Sequence, residues 1–248
     1  MVELKQNNFN LNKTVGEIVA EDYRKASVFK KNNIDFCCGG GQSLEQACKT
    51  AMVDLNDIVD SLLLVESEFN DPDKDYHSWP LDKLIDYILN VHHAYVKENT
   101  FVISQFVNKV KWVHGKNKPN VSDIADHYNL LAEELISHMR KEEMILFPYI
   151  NQLVENKRTK TKQIASQFGT IQNPINMMLA EHDSAGEELE VIRKLTNDFK
   201  PPSGACATHT VSYGHLKDFE ADLLQHIHLE NNILFPRAIE LENELLFK

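Results

Sequence analysis

Two eleven-residue segments carry the same chemistry at the same spacing: His138-Met-Arg-Lys-Glu142-Glu-Met-Ile-Leu-Phe-Pro148 and, 88 positions on, His226-Ile-His-Leu-Glu230-Asn-Asn-Ile-Leu-Phe-Pro236. Each sets a histidine four residues before a glutamate. On an α-helix those positions lie one turn apart on one face, so the imidazole and the carboxylate can reach one metal ion. A lone His-x-x-x-Glu pair decorates many solvated helices. Two copies with identical Ile-Leu-Phe-Pro tails, both on an apolar stripe where a buried carboxylate needs a partner, argue for ligation. Each segment reads as half of a metal site.

A further histidine stands a similar interval upstream of each copy: His93 lies 45 residues before His138, and His182 lies 44 before His226. The pattern is that of a duplicated helical hairpin. It offers His93, His138, Glu142, His182, His226 and Glu230 to one core. Six ligands exceed the four that usually close a structural zinc site. Two metals bridged by the carboxylates fit better, each held also by two histidines and completed by a solvent-derived oxo or hydroxo group. Imidazole with carboxylate suits iron among redox metals, with manganese and zinc as competitors.

His92 and His93 are adjacent, so about 100° separates them on an α-helix and one should point inward. Extending the Ile85 and Ile88 stripe favours His92, whereas the repeat interval favours His93, which we take as the ligand. Glu143 is expected to face away from Glu142 for the same reason. The remaining histidines, His77, His114, His127, His209, His215 and His228, are read as solvated, His228 as an outward residue two positions from a ligand.

The elements that position these residues are helices. Thr14 with Glu17 forms a capping-box signal ahead of a first helix to about Lys31. The turn Asp35-Phe-Cys-Cys-Gly-Gly-Gly41 follows, since three glycines resist helix. Ser43 with Gln46 opens a short second helix near Cys48, and Asp54 with Asp57 a third that ends near Phe69. The expected organisation is a small helical domain over residues 1–69, a polar linker over 70–79, and a four-helix bundle over 80–248. Its long helices run from Pro80 to about Gly115, from about Ser122 to Pro148 or beyond, from Asn173-Pro174 as N-cap and N1, and from about Thr210 to Pro236.

With 26 basic and 37 acidic side chains and a net charge of −11, the chain opposes a phosphate-binding surface, so nucleic acid is not an expected partner. The basic run Lys157 to Lys162 reads as a solvated loop. No stretch is apolar enough for a signal peptide or membrane span, and four cysteines do not make a disulfide scaffold. A cytoplasmic protein without a membrane partner is expected.

Taken together, Asp35-Phe-Cys-Cys-Gly-Gly, His92-His93, Glu181-His-Asp-Ser-Ala-Gly186, Pro201-Pro with Ala205-Cys206, and Glu230-Asn-Asn-Ile-Leu-Phe-Pro-Arg237 resemble the Repair of Iron Centres family over nearly the whole chain. The resemblance implies an all-α protein with a hemerythrin-like bundle and two non-haem irons, restoring iron-sulfur clusters damaged by nitric oxide or peroxide. It carries over the same six ligands, both glutamates bridging. His92 stands where some relatives have tyrosine, and Lys97 where arginine is common.

Cys37 and Cys38 sit before a helix whose amides favour thiolate, which suggests a redox or transfer role beside the plainer one of a tight turn. Three functions remain open at this stage: an iron donor to damaged or apo iron-sulfur proteins, a nitric oxide reductase, or an oxygen or nitric oxide binder. The Cys-Cys-Gly-Gly turn counts against a plain binder. No residue is assigned a catalytic role, and a homodimer is left open.

Overall fold

The computed structural model describes residues 10, 11, 13–37, 39–67, 75–160 and 166–246. Among these, regular structure is helical apart from one bridge between Thr14 and Ser43. The all-α expectation holds. The chain divides into two compact units, residues 1–80 with 227–237, and residues 81–226 with 238–248.

In the first unit, α1 (Val15–Glu21) opens with the expected capping box: the Glu17 amide donates to Thr14 Oγ1 at 3.2 Å, and the Thr14 amide to Glu17 Oε2 at 2.7 Å. The helix does not run unbroken to Lys31. Asp22 leaves the helical conformation at φ −150° and accepts from the Arg24 amide at 3.1 Å, restarting the chain as a 3-10 turn and then α2 (Ala26–Lys31). A short acidic side chain that bonds its own backbone competes with the helix in this way. Ser43 caps α3 (Leu44–Ala51), and Asp54 accepts from the Asn56 amide at the start of α4 (Leu55–Ser67). Val15, Ile18, Phe29, Leu44, Ile58 and Leu62 form the core.

Asp35 folds the glycine turn. Its carboxylate accepts from the Cys37 amide at 2.9 Å and from the Gly39 amide at 2.7 Å. The Gly16 amide donates to the Gly40 carbonyl at 2.7 Å, fixing the turn against α1. A Cβ on Gly40 would lie 2.6 Å from the Phe36 backbone carbonyl oxygen, so that position needs glycine, whereas one on Gly16 would lie 2.3 Å from Asn232 Oδ1 and force that side chain to shift. Cys38 and linker residues 70–74 lie outside the described residues. Of the rest of that linker, Tyr76–Ser78 forms a 3-10 turn in which buried Tyr76 packs edge-on against Trp79.

Four helical rods follow, and all but residues 227–237 of the fourth belong to the second unit. The first joins α5 (Leu81–Tyr87) to α6 (Ala94–His114) through a π-helical turn, Ile88–His93. The second joins α7 (Pro119–Lys141) to α8 (Phe147–Thr159) through a π turn, Glu142–Leu146. It starts earlier than Ser122 because Pro119 occupies the first turn, where its missing amide costs nothing. Lys157 and Arg158 belong to the last turn of α8 rather than to a loop, paired with Glu244 and Asp82.

The third rod, α9 (Gln172–Leu195), is capped by Ile171, so Pro174 falls within its first turn and not at N1. The fourth joins α10 (Ala207–Leu229) to α11 (Phe235–Leu246) through the π turn Glu230–Leu234, well past Pro236. Buried Glu242 ties the second and third rods to the fourth: it accepts from the Ile171 amide at 3.0 Å and from the Tyr149 hydroxyl at 2.7 Å. A carboxylate there also meets the positive end of α9.

Candidate metal centre

The repeated Ile-Leu-Phe-Pro tails have a backbone consequence. Proline lacks an amide and its ring collides with the carbonyl four residues back, so Pro148 and Pro236 oppose a continuous α-helix. Both rods respond by widening one turn: the Phe147 amide donates to the Glu142 carbonyl and the Phe235 amide to the Glu230 carbonyl, each spanning five residues. The two bridging candidates therefore open the π turns. A third π turn, Ile88–His93, has no proline behind it and breaks the 100° step on which the His92-or-His93 choice rested. Both side chains are buried there.

Six residues come together as two overlapping groups, His93, Glu142, His226, Glu230 and His138, Glu142, His182, Glu230, in each of which the donor atoms lie within 4.8 Å of one another. Glu142 and Glu230 belong to both groups and are fully buried. Glu142 Oε2 stands 3.3 Å from His93 Nε2 and 3.4 Å from His138 Nε2, between the two imidazoles. The Nε2 atoms of His138 and His182 face each other at 3.0 Å. His92 is in neither group. Its Nδ1 lies 2.9 Å from Asp222, and its ring stacks on His226 with 8° between planes.

Carboxylates behind the histidines orient them. Glu143 lies 2.8 Å from His93 Nδ1 and accepts from Lys97 at 2.6 Å. Glu181 lies 2.9 Å from His138 Nδ1 and also accepts from Lys141. Burial pushes both acids up, but the hydrogen bonds from Lys97 and His93, and from Lys141 and His138, outweigh it and hold them below the usual carboxylate range. An ionised acceptor on Nδ1 fixes the proton there and turns Nε2 toward the centre. Glu143 thus faces the site through His93, contrary to the outward position expected of it. The signal for these residues was adjacency: Glu143 follows Glu142, and Glu181 precedes His182.

Two histidines read as solvated are buried. His209 lies against Tyr213 and His114. His228 points inward because residues 227–237 belong to the first unit: its ring packs near Tyr23 and Phe36, at 5.8 and 5.9 Å, and burial pushes its pKa down to about 4. Asn232 contacts His228 Nδ1 at 3.0 Å and donates to the Phe36 carbonyl, while Asn231 donates to that of Cys37. Cys37 is buried and its Sγ lies 3.3 Å from Asp35 Oδ1, a bond made by the thiol and not by the thiolate.

The donor set fits iron. Two fully buried carboxylates would be costly without positive charge, and a mixed imidazole and carboxylate set suits a non-haem iron ion. An all-helical bundle with this set defines a hemerythrin-like, cation-binding class of protein, and residues 84–238 match the hemerythrin HHE cation binding domain. Residues 11–66 match a domain of unknown function, DUF542 (ScdA_N).

Similar proteins extend over both. The iron-sulfur cluster repair protein YtfE of Yersinia pestis (strain Pestoides F) is 35% identical over 228 residues, 92% of this chain and 97% of that relative. The protein of the same name from Yersinia pseudotuberculosis serotype IB (strain PB1/+) shows the same identity and coverage. The chain belongs to this iron-sulfur cluster repair family.

Proposed function

We propose that this protein repairs iron-sulfur clusters damaged by nitrosative or oxidative stress by donating iron from a dinuclear store. The observation that carries the reading is the pair of buried donor groups sharing Glu142 and Glu230. In it, His93 and His226 would hold one iron and His138 and His182 the other, with Glu142 and Glu230 shared as bridges and a solvent-derived oxo or hydroxo group completing the pair. Bound there, iron supplies transferable metal and open positions for nitric oxide or oxygen. Glu143 and Glu181 hold the imidazoles in place while the cargo leaves.

The acceptors are damaged or apo iron-sulfur proteins, as the names of the relatives suggest for those proteins. Cys37 and Cys38 serve transfer or redox handling rather than formation of the iron centre. A small N-terminal domain over residues 1–69 joined by a linker to a bundle over 80–248 is supported by the two separate family matches. The free cysteines, and the lack among the described residues of any helix long and apolar enough to cross a membrane, support a cytoplasmic setting.

The test mixes iron-loaded protein with an apo iron-sulfur enzyme, with and without a chelator, and follows recovered activity beside nitrous oxide evolution. Recovery that outpaces free iron supports donation. Nitrous oxide production without recovery would replace donation by nitric oxide reduction. Cys37→Ser/Cys38→Ser, at equal iron loading, should repair less well.

A further inference from the structure

The far end of the first rod holds a second cluster that the iron centre does not use. His114 closes α6, 21 residues after His93 and therefore about 30 Å along the helix. Cys206 stands at the start of α10, where its carbonyl accepts from the Thr210 amide at 3.1 Å. The thiol is delivered there by the turn Pro202–Ala205, in which Gly204 adopts φ +75° and the Ala205 amide donates to the Pro202 carbonyl at 3.0 Å. His209 lies three residues on, on the same helical face.

We propose that Cys206, His114 and His209 form a second metal site, for a borderline divalent ion of the zinc and cobalt class. Cys206 is exposed and its Sγ lies 3.6 Å from His114 Nε2. In a tetrahedral site with zinc–sulfur and zinc–nitrogen bonds of about 2.3 and 2.0 Å, the sulfur–nitrogen edge is about 3.5 Å, so this pair already has the required separation.

His209 supplies the independent observation. It is 1% exposed, and its Nε2 has no hydrogen-bond partner among the described residues. A buried polar nitrogen without a partner is costly, and a metal relieves the cost. Its ring stacks on His114, centroids 5.9 Å apart and planes 28° apart. Burial, and then the charges of His114 and Lys118, push its pKa below the usual value, which keeps it in the neutral form that ligates. The three donors do not all lie within 4.8 Å of one another, as those of the two buried groups do, so closure needs side-chain rotation. Solvent takes the fourth position. A thiolate in the set disfavours the oxygen-seeking ions and separates this site chemically from the centre built of Glu142 and Glu230.

The test is a cobalt(II) titration of full-length protein whose iron centre has been filled anaerobically. One further cobalt per chain should bind with a thiolate-to-cobalt charge-transfer band, at unchanged iron content. Cys206→Ser should abolish the band and keep the iron. His209→Gln should weaken cobalt binding on the order of ten-fold or more, by comparison with losses on removing even a supporting group. His114→Gln, a half-buried helix-end change, carries the same test if His209→Gln fails to fold. No charge-transfer band, a band that survives Cys206→Ser, or unchanged affinity in the histidine variant that folds would overturn the proposal.

Discussion

His93 Nδ1 and the Glu143 carboxylate lie 2.8 Å apart, which leaves His93 Nε2 facing Glu142 at 3.3 Å. One turn of helix therefore provides both a bridging candidate and the acid that aims the opposing histidine. Glu143→Ala should lower iron affinity about ten- to hundred-fold, as loss of a carboxylate behind a ligating histidine does elsewhere. Competition with a coloured chelator measures it; affinity equal to the parent's would sink the role assigned to Glu143.

Glu142→Ala and Glu230→Ala should each reduce the iron content below two per chain, because each removes a group shared by both donor sets. The bundle should survive, since a small residue replaces a costly buried charge. Iron analysis beside far-ultraviolet circular dichroism is the check; two irons retained in both variants would remove the bridges.

His93→Ala should lose iron, whereas His92→Ala should keep it and lose stability. His92 is buried, bonded to Asp222 and packed between Tyr87 and His226, so its removal leaves a cavity costing about 2 kcal/mol. Thermal unfolding and iron content together distinguish the two, and the reverse pattern would assign the site to His92.

Gly40→Ala should destabilise the first unit by about 1–3 kcal/mol, because the added carbon meets the Phe36 backbone carbonyl, which cannot rotate away. Alkylation of buried Cys37 should accelerate as the turn loosens. A parent-like alkylation rate and melting temperature would show that the turn tolerates a side chain.

The donors were legible because a four-residue interval survives at the start of each π turn: the widening begins at Glu142 and Glu230, after the His-x-x-x-Glu spacing is complete. His92 and His93 were harder because Ile88–His93 widens before them, so a fixed angular step fails. Asp22 was hidden by apolar periodicity that continues on both sides of the break. His228 and His209 could not be read as buried, since their cover comes from residues distant in sequence: Tyr23 and Phe36 for one, His114 for the other. Asp222 acts across rods on His92, a relationship no local spacing encodes.

The π turn Ile88–His93 has no counterpart in α9, Gln172–Leu195, which is the matching rod of the second hairpin. A duplicated sequence has thus produced unequal halves. His93 sits on a widened turn and His182 on an ordinary one, so the two donor groups are not equivalent. Two irons placed there should give two distinct Mössbauer quadrupole doublets, and a chelator should withdraw them in order, leaving a half-loaded protein as a discrete species.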